Sequence, residues 1–78
     1  MSISLRAAAL RTALERVLDG PVHLLVVDDH RTRLHAVAPA PTDRSAWRAV
    51  LPALASADRW GSCDTADAPE IWAEIHEG

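Results

Sequence analysis

The sequence predicts an α+β fold: a small two-layer sandwich in the order α-β-β-α-β-β, with a four-stranded antiparallel sheet and both helices packed on one face. Three observations carry this reading. Apolar residues recur at three- and four-residue spacing near the N-terminus and again between residues 43 and 58. Each helical stretch is followed by two short runs of strand character separated by polar turn residues. The 78 residues leave room for one domain, 1–78, whose thin core suits helices laid on a single sheet.

The first helix spans residues 3–19. Ile3, Ala7, Leu10, Leu14, Val17 and Leu18 form its apolar stripe, while Arg6, Arg11, Thr12, Glu15, Arg16 and Asp19 take the other side. Ser2 or Ser4 caps its start, and Gly20-Pro21 stops it, with Gly20 suited to the left-handed residue after a helix. Val22-His23-Leu24-Leu25-Val26-Val27 follows as a strand whose near-continuous apolarity marks a central position. Asp28 to Thr32 turn the chain, and Arg33 to Ala38 alternate up to Pro39. Pairing Val26 with Leu34, Leu24 with Ala36 and Val22 with Ala38 makes one face wholly apolar, with an odd-numbered loop centred near His30. The opposite face is mixed, carrying His23, Leu25, Val27, Arg33, His35 and Val37.

Pro39-Ala40-Pro41 is a stiff connector. Thr42 or Asp43 caps the second helix, in which Trp47, Val50, Leu51 and Leu54 form the stripe and Pro52 should kink or split the element. The last hairpin runs from Arg59 to Ile75 about a turn at Thr65–Pro69. Pairing Cys63 with Ile71 and Gly61 with Ala73 places Cys63, Ile71, Ala73 and Ile75 on one face. Trp60, Ser62, Glu70, Trp72, Glu74 and His76 then share the other.

Composition narrows the function classes. Net charge is −3 and the basic residues, all Arg, are spread along the chain, so nucleic acid is not an expected partner. Asn and Gln are absent, which removes the usual adenine-reading side chains. No apolar run approaches the roughly 18 residues of a membrane span. Arg6, Arg11, Glu15 and Arg16 interrupt any secretory apolar region, so a soluble, cytoplasmic protein with no membrane contact is expected. The single Cys63 makes no internal disulfide, no zinc spacing occurs, and Gly20, Gly61 and Gly78 form no phosphate loop. No cofactor is expected. The lack of Lys, Asn, Gln, Phe and Tyr beside abundant Ala and Arg suggests a GC-rich bacterial coding sequence.

Four constellations bear on chemistry. Asp28-Asp29-His30 is the most metal-like, although neighbouring residues at a strand end point in different directions and favour a solvated acidic turn. His23 and His35 share the mixed face and could form a pH-sensitive patch. Cys63 faces the aliphatic layer in this reading and is a small inert hydrophobe. Trp47, Trp60 and Trp72 are the only aromatics. Trp47 belongs to the core, whereas Trp60 and Trp72 share a polar face rimmed by Glu70 and Glu74, the composition of a binding surface.

The leading reading is therefore a non-catalytic protein–protein interaction module, a small regulatory or accessory protein that contacts another protein or a second copy of itself through Trp60, Trp72, Glu70 and Glu74. One alternative is a small nucleic-acid-associated regulator of plasmid or phage type, using its arginines once dimerised. A second is a metal-dependent enzyme or metal protein centred on Asp28, Asp29 and His30.

Arg59-Trp60-Gly61 followed by Ile71-Trp72-Ala73-Glu74-Ile75 resembles the closing hairpin of the small anti-sigma-type ATPases. The chain has neither that family's ATP-binding Asn nor its Asp-x-Gly-x-Gly loop. The resemblance therefore implies a style of hairpin and no site residue.

Overall fold

The computed structural model describes residues 4–64 and 69–77. Helix α1 (Leu5–Leu18) leads into strands β1 (His23–Asp28) and β2 (Arg31–Val37), and helix α2 (Arg44–Ala55) leads into β3 (Arg59–Asp64) and β4 (Pro69–His76). The four strands form one antiparallel sheet in the order β1-β2-β4-β3. This is the α-β-β-α-β-β arrangement that the sequence pattern predicts, with the two hairpins joined through β2 and β4.

Local chemistry explains where each helix begins and ends. The Ser4 hydroxyl accepts from the Ala7 N–H at 3.0 Å and starts α1, while Ser2 and Ile3 lie outside the described residues. The left-handed residue that closes α1 is Asp19 (φ 52°), not Gly20, and its N–H bonds the Glu15 carbonyl. Aspartate tolerates this region better than most side chains. Asp43 caps α2 by accepting from the Ala46 N–H at 3.1 Å. The helix runs through Pro52 as one element, contrary to the expected split. Pro52 and Arg48 are both exposed, so water can satisfy the Arg48 carbonyl that Pro52 leaves without a donor.

Both helices lie on one face of the sheet. Leu10 and Leu14 of α1 and Val50 and Leu54 of α2 meet Leu34, Ile71 and Ile75 beneath them, all buried. Trp47 packs against this core at its margin, and its indole N–H donates to the Ala40 carbonyl at 3.1 Å. Leu51, counted in the apolar stripe of α2, is 40% exposed.

The registers differ from expectation in both hairpins. In the first, Leu24 pairs with Leu34 and Val26 with Thr32, two residues away from the expected match, which leaves each residue on its expected face. The pairing then skips Val27, so Asp28 stands opposite Arg31 across a two-residue turn, Asp29-His30. Asp28 explains the shorter turn: its carboxylate accepts from the His30 N–H at 2.8 Å and from Arg31 Nε at 2.9 Å. Val27 is absorbed as a bulge on the edge strand.

In the second hairpin the slip is one residue, and its consequence is larger. Trp60 pairs with Ala73, Gly61 with Trp72, Ser62 with Ile71 and Cys63 with Glu70. A one-residue slip exchanges faces. Trp60 and Ser62 therefore lie on the helix side, and Cys63 lies on the open side. The expected turn at Thr65–Pro69 falls largely outside the described residues.

Candidate functional site

The face of the sheet that no helix covers is set by cross-strand pairs. Its rungs place His23, His35, Trp72 and Gly61 in one row and Leu25, Arg33, Glu74 and Arg59 in the next. Trp72 occupies the centre. Its indole lies over Gly61, where a Cβ would come within 2.9 Å of Cζ2. A strand glycine here serves as the floor for a large ring, and the fit supplies the physical reason for the register of β3. The Arg33 guanidinium carbon stands over the indole, 5.0 Å from the ring centroid, within cation–π range.

Arg33 is held in turn by Glu74. Its Nε donates to Glu74 Oε2 at 3.0 Å, and Nη2 donates to the same oxygen. His76 Nε2 meets the other carboxylate oxygen at 2.8 Å. Glu74 is only 5% exposed, although its face is open, because these neighbours cover it. The His76 ring and then the Arg33 guanidinium hold its carboxyl below the usual glutamate range. The end of β4 is fastened by Asp58, which accepts from the His76 N–H at 2.7 Å and pairs with Arg6 at 3.2 Å. The His76 N–H, followed by Arg6, depresses the Asp58 carboxyl.

Around Trp72 the surface forms a shallow depression of about 310 Å³ lined by Leu25, Arg33, His35, Cys63, Glu70 and Trp72. His35 stands directly opposite His23 with ring centroids 5.5 Å apart, and its Nδ1 lies 3.9 Å from Glu70 Oε2. A larger cleft of about 400 Å³ lies between the end of α1 and the start of α2. Its charged lining, Asp19 and Asp43, belongs to helix caps, and among the described residues it gathers no other ionisable group.

These positions revise the residues expected to bind a partner. Trp72 and Glu70 lie on the open face. Trp60 does not join them: it pairs with Ala73 on the helix-facing side of edge strand β3, 43% exposed beyond the cover of α2. Glu74 is no part of an acidic rim, because Arg33 and His76 enclose its carboxylate. Cys63, expected among the aliphatic residues, is exposed beside Trp72. The sequence pattern does not bring Arg33 or Gly61 against Trp72, where the structure places both. A glycine inside a strand pattern opposite a tryptophan was the available signal for Gly61.

The metal-like cluster does not assemble. Asp28 is committed to His30 and Arg31, and its carboxyl is depressed by the His30 N–H and then by Arg31. Among the described residues no three His, Cys, Asp or Glu side chains are grouped to hold a metal ion. Among the same residues, no helix is long and apolar enough to cross a membrane. No protein-family model, curated protein or solved structure matches the chain.

Proposed function

We propose that this protein is a non-catalytic interaction module, a small regulatory or accessory protein whose contact surface is the open sheet face centred on Trp72. One observation carries the reading: the face left uncovered by the helices has a half-buried tryptophan at its centre, stacked under an arginine. Trp and Arg are the side chains most enriched in binding hot spots, and a central aromatic within a polar surround is the usual anatomy of such a patch. Arg33 is preorganised by Glu74, so little side-chain freedom is left to lose on binding. Arg31 and Arg33 are each paired with a carboxylate, which favours a protein surface over a phosphate backbone as the partner.

The immobilised full-length chain is the bait for a direct test. Trp72→Ala should lose the partner that the wild type retains, with an unchanged far-UV circular dichroism spectrum. Trp60→Ala should keep it. Retention of the same partner by wild type and Trp72→Ala would sink the reading.

A further inference from the structure

Strand β1 has the sequence of a central strand and the position of an edge strand. Leu24-Leu25-Val26-Val27 is a continuous apolar run, yet among the described residues β1 pairs only with β2. Leu25 is 55% exposed on the open face, and Val26 (39%) and Val27 (42%) are exposed as well. Natural edge strands are guarded by charges, prolines or glycines along their length. The opposite edge, β3, carries Arg59 and Gly61 within it. In β1 the middle four residues carry no charge, proline or glycine, and the bulge at Val27 is the one guard among them.

We propose that β1 pairs with β1 of a second copy, antiparallel about a twofold axis perpendicular to the sheet, to give one continuous eight-stranded sheet. A second copy is the occupant because the edge is complementary to itself. Such an axis keeps both open faces on the same side, so a residue must meet one from its own face. The bulge at Val27 turns Asp28 to the open face, the side of His23, since Asp28 pairs with Arg31 and His23 with His35. With Leu25 on the axis, Leu24 meets Val26 of the other copy, and His23 meets its Asp28 at both ends of the ladder. Leu24, Leu25 and Val26 then each face an apolar residue, Val27 stays unpaired in its bulge, and each imidazole faces the carboxylate of Asp28, which also holds Arg31. Without the bulge, Asp28 would fall on the helix side and this match would be lost. The ladder is short beside the roughly 800 Å² per partner of a standard interface, so the dimer is expected to be weak and reversible. The contact shares Leu25 with the margin of the depression around Trp72 and brings two such depressions onto one surface.

Residues on the axis face themselves, and that makes the proposal testable. Leu25→Lys sets two ammonium groups opposite one another, and Leu25→Glu sets two carboxylates there, at an exposed position where the fold tolerates either. In sedimentation equilibrium across a concentration series, the wild type should show a reversible dimer. Each variant alone should be monomeric, and an equimolar mixture of the two should regain a dimer. Three results would overturn the proposal: a wild type that stays monomeric at millimolar concentration, a mixture that stays monomeric, or a dimer unmoved by Leu25→Lys and lost on Trp72→Ala. The last would move self-association to the Trp72 face, whereas loss of a different protein on Trp72→Ala leaves the β1 contact standing.

Discussion

The two faces of the sheet are held in place by different physics. On the covered face, Leu34, Ala36, Ile71, Ala73 and Ile75 are all buried against α1 and α2. That contact is non-directional and scales with area, at about 25 cal/mol per Å² removed from water. On the open face, Arg33, His35, Glu70 and Trp72 remain partly accessible, and their order comes from directional contacts: guanidinium on carboxylate, ring on glycine, guanidinium on ring. The first face stabilises the chain and the second keeps a defined surface without a covering layer. Substitutions on the two faces should therefore differ in size and in what they change.

The largest expected effect lies on the covered face. Ile71→Ala removes a side chain that is 1% exposed. It should cost about 2–5 kcal/mol, a large part of the roughly 5 kcal/mol that a domain this small retains. Urea denaturation should show a midpoint lowered in proportion to that loss; a loss below 1 kcal/mol would mean that the covered face is not the main source of stability.

On the open face, Glu74→Gln should cost less and act through pH. Because the native carboxyl titrates below its ordinary 4.5, the stability it contributes is fully present above that value and is lost as pH falls through the lower native value. Wild-type stability should therefore decline on acidification in this window, and Glu74→Gln should flatten that part of the curve. An acid limb of unchanged slope would remove Glu74 from the network that orders this face.

Gly61→Ala sharpens the comparison further. Its Cβ would press on the Trp72 ring and should cost about 1–2 kcal/mol through overpacking. In a Trp72→Ala background the same change should be neutral or stabilising, since glycine weakens a strand once nothing lies over it. Equal costs in both backgrounds would break the link between Gly61 and the position of the indole.

Much of this architecture is legible in the residues themselves. Helical periodicity located both helices, and turn chemistry separated the strands of each hairpin. Parity along β1, β2 and β4 assigned their faces correctly. The face assignment failed for β3, whose register is one residue from the expected one. A tryptophan two residues before Ser62 and another beside Ile71 could be set on one face only by assuming which pairs stand opposite. The buried Glu74 was equally hidden, because its enclosure depends on Arg33, which is 41 residues away in the chain.

What the sequence by itself determined was which residues of a single strand share a side, since alternation is a property of the backbone. Only the tertiary structure decided how one strand slides against the next. That choice follows from packing between distant segments: the Trp72 ring needs Gly61 beneath it, and Asp28 closes a two-residue turn that leaves Val27 as a bulge. The first choice separated Trp60 from Trp72, and the second turned Asp28 toward the side of His23.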